Sequence, residues 1–436
     1  MSSSASLDAL HSMHEISVLQ QNPESPLHSV ATFEDLNLSD ELKKGVYMSG
    51  YTRPSKIQAH ALPLLLRNPP EHLIAQAQTG TGKTATFCLA LLSRLDYTDP
   101  STQAIVVAPS RELARQIFDV MKTLARFTAA TITQIVPHVV RTSDKITGHI
   151  IIGTPGKLGD MIKRTMTLAQ RSRVKMLVLD EADFMLDLQG LGNQSLQIKK
   201  LLPDSIQLIF FSATWDDTVD KFAHRFITGP SNQIRLETYQ LTLEYVKQFF
   251  IDCDSEEDRF QVLVGLYGIM TISQSIIFRR AMAEKISTKM ILNHHQVSFL
   301  HGGLVPEERD DVMDEFRSGR TKVLVTTNVL ARGIDVERVN MVINYDLPLD
   351  NDGKPDPNTY LHRIGRTGRF GRLGVSVNFV HDHSSQEVLA EFQNHFDREI
   401  LRVPTELDEA DGVMVADQES ARLERIEAFF KMAMKL

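Results

Sequence analysis

Two adjacent carboxylates stand where the chain could place them for chemistry. Asp180 and Glu181 directly follow residues 174–179, an apolar run interrupted only by Lys175, which predicts a buried strand. Ligands of open α/β sheets bind outside the carboxyl ends of the strands, so this strand would carry both acids to a binding edge. Adjacent acids are often solvated surface residues, and the same Asp-Glu-Ala-Asp letters recur at residues 408–411 without such a strand. The pair gains meaning only from a phosphate-binding loop upstream.

Residues 77–84 (AQTGTGKT) form that loop. A predicted strand at residues 72–75 leads into it and a predicted helix at residues 84–95 follows it, as the pattern G-x-x-x-x-G-K-[ST] requires, although Ala77 replaces the first glycine. Glycines let backbone N–H groups approach phosphates closely, and the helix N-terminus adds positive potential. We expect Lys83 to contact the β- and γ-phosphates and the Thr84 hydroxyl to bind Mg²⁺, with a glycine turn that binds nothing as the alternative.

The loop and the two acids together divide the work of nucleoside triphosphate hydrolysis. Asp180 would hold Mg²⁺, directly or through water, and Glu181 would orient the attacking water. Gln58 lies just ahead of the loop, and its amide could read an adenine edge through one donor and one acceptor. The sequence therefore predicts ATP and Mg²⁺ as cofactors.

The composition limits the classes of protein that this chain can be. Its 436 residues are too many for one ordinary core and predict two domains. A hydrophobic content of 42% and a charged content of 23% are those of a globular protein, and the two cysteines predict no disulfide framework. No apolar run reaches the roughly 18 residues of a membrane span. The net charge of -8 argues against a broadly basic surface, so nucleic acid would have to bind in a local groove.

Composition and turn residues divide the chain. Residues 1–42 contain no Lys or Arg and are rich in acidic residues, which excludes a mitochondrial presequence and a secretory signal. The turn residues Gly229 to Asn232 mark a boundary. We expect a flexible extension at 1–30, a first domain at 31–230, a linker at 231–239 and a second domain at 240–436.

Apolar and β-branched runs predict the strands of both domains. In the first domain, runs at residues 105–108, 150–152 and 207–211 end at polar residues, which places those residues on the same sheet edge as Asp180. A last helix is predicted at residues 418–435, where Leu423, Ile426, Phe429 and Phe430 have helical spacing. The strands predicted for the second domain are residues 246–251, 275–278, 297–300, 323–326, 341–344 and 375–380.

From residue 33 to about residue 383 the chain resembles the DEAD-box RNA helicases. The resemblance implies an α/β fold of two tandem RecA-like domains, each a parallel sheet covered by helices. Besides the acidic pair, seven segments carry the resemblance: residues 51–58 resemble the adenine-reading motif, and residues 77–84 resemble the phosphate loop. Residues 109–114 and 154–157 resemble two RNA-contacting motifs, with Lys157 where Arg is usual. Residues 212–214 resemble the motif that couples hydrolysis to RNA binding, residues 326–335 the motif for RNA and ribose contact, and residues 362–369 the arginine-finger motif.

The resemblance also implies a role for individual residues. The catalytic residues would be Lys83, Asp180, Glu181, Arg366 and Arg369, and the metal ligands would be Thr84 and Asp180. Nucleotide contacts fall to Phe33, Tyr51, Gln58, Gln78, Thr79, Gly80, Thr81, Gly82, Lys83, Thr84, Gly333, Asp335, Arg366 and Arg369. Coupling falls to Asp183, Ser212, Thr214 and His362, and RNA contact to Pro109, Arg111, Thr154, Gly156, Lys157, Gly302 and Thr326.

The predicted arginine fingers define the mechanism that the resemblance implies. Arg366 and Arg369 are spaced to lie on one side of a helical turn, so both could reach one γ-phosphate, although a solvated basic patch is the simpler alternative. The two predicted domains would then each hold part of one site, and ATP and RNA would drive their closure. One departure concerns RNA contact: residues 135–137 (IVP) stand where the family has a double glycine.

Further segments resemble the mRNA-export branch of the family. They include Ser110, residues 345–348 (YDLP) with the insert 349–358, and the runs 379–382 (FVHD) and 402–405 (RVPT). This branch implies a monomer at the cytoplasmic face of the nuclear pore, found in both nucleus and cytoplasm, with mRNA, a nucleoporin and an inositol-hexakisphosphate-dependent activator as partners. The alternatives are a translation-initiation type helicase that binds a HEAT-repeat scaffold, and an ATP-gated RNA clamp with little turnover.

Overall fold

The computed structural model describes residues 16–20, 29–77, 80–137, 139, 145–187, 190–236, 245–270, 272–279, 283–328, 336, 338–350, 352–368, 373–404 and 418–433. The chain divides into two compact units, Met1–Thr238 and Tyr239–Leu436. Among the helices of these described ranges, none combines the length and the apolar character needed to cross a bilayer.

The first unit is built on a sheet of eight described strands. They are Ile16–Leu19 (β1), His72–Gln76 (β2), Ala104–Val107 (β3), Ile132–Ile135 (β4), Ile150–Gly153 (β5), Met176–Leu179 (β6), Gln207–Ser212 (β7) and Ser231–Leu236 (β8). Their spatial order is β1-β8-β2-β7-β6-β3-β5-β4. Only β1 runs antiparallel to its neighbour, and all the other pairs are parallel.

Helices cover both faces of this sheet. They are Asp40–Met48 (α1), Lys56–Leu65 (α2), Lys83–Ser93 (α3), Arg111–Leu124 (α4), Pro155–Thr165 (α5), Leu168–Arg171 (α6), Ala182–Asp187 (α7), Leu191–Lys200 (α8) and Asp217–Phe226 (α9), with a 3₁₀ turn at Phe33–Asp35. Alternate side chains of β2 enter two cores: Leu73 and Ala75 pack with α1–α4, and Ile74 packs with α5, α7, α8 and α9. Burial on both faces explains why the central strands are continuous apolar runs.

The structure differs from the prediction at both ends of the first unit. Residues 231–236 were expected to be linker, but they form β8, which is parallel to β2, with Ile234 in the core. Within the flexible extension expected at residues 1–30, Ile16–Leu19 pairs antiparallel with β8, while residues 1–15 and 21–28 lie outside the described part of the chain. Strand pairing is a non-local interaction, so a short run such as ISVL inside an acidic segment gives little local signal. The strand β1 also covers the backbone of β8, which would otherwise be an open edge.

The second unit contains a sheet of seven described strands, all in parallel pairs. They are Val246–Asp252 (β9), Gln274–Phe278 (β10), Val297–Leu300 (β11), Val323–Thr326 (β12), Val339–Asn344 (β13), Gly374–Val380 (β14) and Leu401–Arg402 (β15). Their order is β11-β12-β10-β13-β14-β9-β15. The described helices are Glu256–Ile269 (α10), Ala283–Leu292 (α11), Pro306–Ser318 (α12), Pro357–Ile364 (α13), His383–Phe396 (α14) and Gln418–Ala433 (α15).

The six strands predicted for the second unit are confirmed as β9 to β14. The predicted last helix is confirmed as α15: Ile426 and Phe430 are buried in the core that α10 and α11 also line. The ring of Phe430 lies 5.0 Å from that of Phe249 on β9, in an edge-on arrangement.

Candidate functional site

The phosphate loop lies between β2 and α3, at the carboxyl edge of the first sheet. Gly80 and Gly82 have positive φ values of 85° and 100°, a conformation that favours glycine. A Cβ atom on Gly82 would lie 2.7 Å from Gln58 Nε2 and 2.8 Å from Ser55 Oγ, so a side chain would collide there. Thr81 and Thr84 are half-buried, whereas the predicted contacts Gln78 and Thr79 lie outside the described residues.

Gln58 is tied to this loop by its side-chain amide. Its Oε1 accepts the Ser55 N–H at 2.8 Å, and its Nε2 donates to the Gly82 carbonyl at 3.3 Å. Ser55 Oγ in turn accepts the Gln58 N–H, which completes a capping box at the start of α2. The box was missed in the sequence, although the Ser-x-x-Gln spacing signals it. Gln58 therefore links α2 to the phosphate loop, and its contact with adenine stays a prediction.

The two aromatic residues predicted near adenine are part of the first core. Phe33 lies in the 3₁₀ turn and is only 1% exposed, so its ring packs in the core and offers no open face for stacking. Tyr51 is half-buried and packs against the same core. The short 3₁₀ turn directs the Phe33 side chain inward, and the contacts of Phe33 and Tyr51 with adenine stay predictions.

The acidic pair faces Lys83 across the sheet edge. The Asp180 N–H donates to the Val107 carbonyl and extends the pairing of β6 with β3. Lys83 Nζ donates to Glu181 Oε1 at 3.2 Å, and both side chains are buried. Glu181 has a φ of 49°, which is unusual for a residue with a side chain, and its N–H donates to Asp180 Oδ1 at 3.0 Å. Such strain is often found where function requires a fixed side chain.

The pKa of the Asp180 carboxyl is raised far above its ordinary value of 3.8. Burial is the main cause that raises the pKa of Asp180 to about 7. The positive charge of Lys83 lowers this pKa, whereas the negative charge of Glu181 raises it further. The buried carboxylate of Asp180 and the half-buried hydroxyl of Thr84, the residue that follows Lys83, are hard oxygen donors of the kind that Mg²⁺ prefers. The metal assignments of Asp180 and Thr84 stay predictions.

Three of the four residues predicted to couple hydrolysis to RNA binding meet within the first unit. Thr214 Oγ1 donates to Asp183 Oδ2 at 2.9 Å, and Ser212 Oγ donates to the Thr214 carbonyl at 2.8 Å. The bonds join the end of β7 to the first turn of α7, which directly follows Glu181. His362, the fourth predicted coupling residue, lies in α13 of the second unit.

The RNA-contact candidates of the first unit follow β3 and β5, which are neighbours in the sheet. Pro109 is buried, Gly156 is exposed, and Thr154 and Lys157 are half-buried at the start of α5. Arg111 is also half-buried, and its Nη1 donates to the Pro137 carbonyl at 2.8 Å.

The segment that replaces the family's double glycine therefore has a structural role. Ile135 ends β4 and Val136 is buried in the core, while the carbonyl of Pro137 holds Arg111. A predicted RNA-contacting arginine is thus anchored by this segment. Its contact with RNA stays a prediction.

In the second unit the candidates follow β11, β12 and α13. Gly302 is exposed just after β11, and Arg366 follows α13, with its Nε donating to the His362 carbonyl at 3.0 Å. Thr326 is 0% exposed, because it is the last residue of β12, a strand with neighbours on both sides, and its hydroxyl donates to the Thr327 carbonyl. Its contact with RNA stays a prediction. Gly333, Asp335 and Arg369, like the second copy of the acidic tetrapeptide, lie outside the described residues.

Comparison with known proteins gives one consistent result. Residues 55–222 match the DEAD/DEAH box helicase family, and residues 258–371 match the helicase conserved C-terminal domain. The chain is 54% identical over 390 residues to the ATP-dependent RNA helicase dbp5 of Schizosaccharomyces pombe, covering 89% of this chain and 77% of the relative.

Two solved structures resemble the chain closely. S. cerevisiae Dbp5 bound to RNA and ADP BeF3 has a TM-score of 0.82 and 47% identity, over 91% of this chain and 100% of that one. A Dbp5 variant bound to Nup159, a Gle1 variant, IP6 and ADP has a TM-score of 0.65 and 44% identity, over 92% and 100%.

The fold and the site define a DEAD-box helicase with two tandem RecA-like domains. Within that family, the chain is 54%, 51% and 49% identical to three ATP-dependent RNA helicases named DBP5. The family and fold predicted from the sequence are both confirmed.

Proposed function

We propose that the protein is an RNA-dependent ATPase that locally unwinds RNA or displaces proteins from it. The observation that carries the proposal is the buried Lys83–Glu181 pair beside a glycine loop that leads into a helix. A lysine at this position compensates phosphate charge, and a carboxylate beside it can hold an attacking water. The family of the chain and the RNA and nucleotide bound to S. cerevisiae Dbp5 support the proposal.

The Lys83–Glu181 contact suggests how binding prepares the site. In the structure, Glu181 supplies the negative charge that faces Lys83 Nζ. Phosphate oxygens of ATP would take over that role, which releases the Glu181 carboxylate to accept a hydrogen bond from water. The left-handed backbone at Glu181 fixes the direction of its side chain, so little reorganisation is needed.

Mg²⁺ would be held by Asp180 and the Thr84 hydroxyl, and when bound it neutralises charge on the phosphates. The Asp180 carboxyl must be ionised to hold a cation, and Lys83 favours this form because it lowers the pKa of Asp180 against the effect of burial. The Asp183–Thr214 bond would transmit changes at the acidic pair to the end of β7.

Arg366 would act on the same phosphate group from the second unit. Its guanidinium can stabilise the charge that develops during transfer, an effect worth about three to five powers of ten in rate. Because Lys83 and Glu181 belong to one unit and Arg366 to the other, we propose that hydrolysis needs ATP and RNA to bring both units onto one nucleotide.

The ATPase rate with no nucleic acid, with RNA and with DNA tests this function. We expect RNA to raise the rate strongly and DNA to have little effect, because the proposed contacts include 2′-hydroxyls. Equal rates in all three conditions would overturn the proposal.

We further propose that the protein acts in mRNA export at the cytoplasmic face of the nuclear pore. A nucleoporin and an inositol-hexakisphosphate-dependent activator would be its partners, because S. cerevisiae Dbp5 has been solved with Nup159, Gle1 and IP6. The test is the RNA-stimulated ATPase rate with the activator and inositol hexakisphosphate added singly and together. We expect stimulation only with both, and a rate that neither changes would count against this role.

A further inference from the structure

Arg363 lies in α13, inside the segment 362–369, but it has no role in the proposed mechanism. Its side chain is 0% exposed, although guanidinium groups usually lie at the surface. Its Nη1 donates to Asn344 Oδ1 at 3.0 Å and to the Asp346 carbonyl at 2.7 Å, and its Nη2 donates to Asn328 Oδ1. Its Cζ lies 4.8 Å from the ring centroid of Phe278.

These partners lie at the carboxyl ends of three neighbouring strands. Phe278 is the last residue of β10, Asn344 is the last residue of β13, and Asn328 lies two residues beyond the end of β12. One planar side chain thus joins three strand ends to α13. Lysine could not do so, because it lacks the fixed fork of donors.

A second set of buried hydrogen bonds holds the same helix without reaching β12. Asn344 Nδ2 donates to Asn378 Oδ1, and Asn378 Nδ2 donates to the Tyr360 hydroxyl at 3.2 Å. The Tyr360 hydroxyl then donates to Gln248 Oε1 at 2.7 Å. Tyr360 and Arg363 therefore anchor α13 one turn apart, but only Arg363 contacts the segment that follows β12.

Arg366 lies three residues beyond Arg363, where α13 has just ended. Its Nε donates to the carbonyl of His362, the neighbour of Arg363 in the chain. A shift of Arg363 would therefore move the backbone that orients Arg366. On the other side, Thr327 and Asn328 are half-buried and follow the buried Thr326, so among the described residues of this segment they are the ones more accessible to RNA.

We propose that Arg363 is a positioning residue that couples residues 327 and 328 to Arg366. RNA that contacts this segment fixes Asn328, Asn328 fixes the Arg363 guanidinium, and Arg363 fixes the helix end that carries Arg366. This inference rests on the proposed function, since it explains how RNA contact raises the rate of hydrolysis.

The test is steady-state ATPase kinetics of Arg363→Lys and Asn328→Ala in the full chain, alone and combined. We expect Arg363→Lys to lower the RNA-stimulated kcat about tenfold or more, while the KM for ATP stays within about threefold. Asn328→Ala should lower it about fivefold, and the double variant should be no slower than Arg363→Lys, because both changes break one contact.

Tyr360→Phe is the matched control, since it removes a buried hydroxyl from the same helix and leaves Asn328 untouched. It should lower the melting temperature while the ratio of RNA-stimulated to basal rate stays near that of the wild type. If Arg363→Lys does not fold, Asn328→Ala alone tests the inference, through the expected fivefold loss in RNA-stimulated kcat. Multiplying effects in the double variant, or a kcat within about twofold in both single variants, would overturn the inference. A wild-type protein that RNA does not stimulate would overturn the proposed function, and this inference with it.

Discussion

At the scale of single residues, the site depends on charges that the fold has removed from water. Lys83 Nζ and Glu181 Oε1 lie 3.2 Å apart and form an ion pair in which both side chains are buried. Taking either charge away leaves the other without compensation in a medium of low dielectric constant, which is costly. A change at Glu181 must therefore keep the shape and the hydrogen bond if it is to report on chemistry alone.

Glu181→Gln meets that requirement. The amide oxygen can still accept the Lys83 hydrogen bond, but the side chain can no longer hold the charge that activates a water. We expect kcat to fall by roughly two to four powers of ten, while ATP and RNA bind as before. The measurements are single-turnover hydrolysis and direct binding titrations, with the exposed Glu41→Gln as control. Normal turnover in Glu181→Gln would remove the role assigned to this carboxylate.

The substitution Gln58→Glu keeps one of the two hydrogen bonds that the Gln58 side-chain amide makes and removes the other. The variant keeps an oxygen for the Ser55 N–H but turns a second oxygen, in place of the donor, toward the Gly82 carbonyl. We expect a loss of roughly 1–3 kcal/mol in nucleotide affinity, which is a rise of about 5- to 150-fold in Kd, measured by titration with a fluorescent ATP analogue.

Gln170→Glu is the matched control for this substitution. Gln170 closes an equivalent capping box with Thr167 at α6, on the exposed surface. Its replacement should leave nucleotide affinity unchanged. If both variants lose affinity equally, the contact between Gln58 and Gly82 has no special part in binding.

At the scale of elements, the sequence predicted the central strands well because they are buried on both faces. Runs such as residues 176–179 are apolar throughout, and the motif residues follow where such runs end. The pattern of apolar runs did not predict β8, in which the polar Asn232 and Arg235 lie on either side of the buried Ile234. It also did not predict the four-residue strand β1. Both strands owe their place to partners distant in the chain, as does the contact of Gln58 with Gly82. Local periodicity cannot report such pairings.

The strand β2 carries a pH-sensitive contact at its start. His72 Nδ1 accepts the Leu208 N–H of β7 at 3.1 Å, which requires the neutral imidazole. Burial, and then the nearby Lys199, lowers the pKa of His72 below its ordinary value of 6.5. The folded state therefore binds this proton less readily than the unfolded state. The contribution of this contact to the free energy of unfolding is fully present above the pKa that His72 has in the unfolded state. It is lost as the pH falls below about 6.5 toward the pKa of His72 in the folded state.

His72→Asn tests this contact, because an amide oxygen can accept the same N–H without titrating. We expect the melting temperature to drop less between pH 7.5 and 5.5 in this variant than in the wild-type protein. Calorimetry or circular dichroism measures the difference. His224→Asn, at an exposed position of α9, should behave like the wild type. An unchanged pH dependence in His72→Asn would show that this histidine does not contribute.

At the scale of the whole molecule, the residues of the proposed chemistry are divided between two units that each have their own sheet. The phosphate loop, the acidic pair and the coupling residues Ser212 and Thr214 belong to the first unit, and Arg363 and Arg366 belong to the second. Each unit also has its own hydrophobic cores. A domain with its own core can unfold as a cooperative unit, so one transition need not describe the whole chain.

The two cysteines provide one reporter for each unit. Cys88 lies in α3, and burial raises the pKa of its thiol well above the ordinary value, while burial raises the pKa of Cys253, just after β9, to about 12. Because the thiolate is the reactive form, neither cysteine should be alkylated in the native protein at pH 8, and both should react in full denaturant. We expect mass spectrometry across a denaturant series to give two separate midpoints, one for each cysteine, since each thiol is protected by a different core. Coincident midpoints would instead show that the two units unfold together, and rapid labelling of native Cys88 would mean that the helix behind the phosphate loop opens without global unfolding.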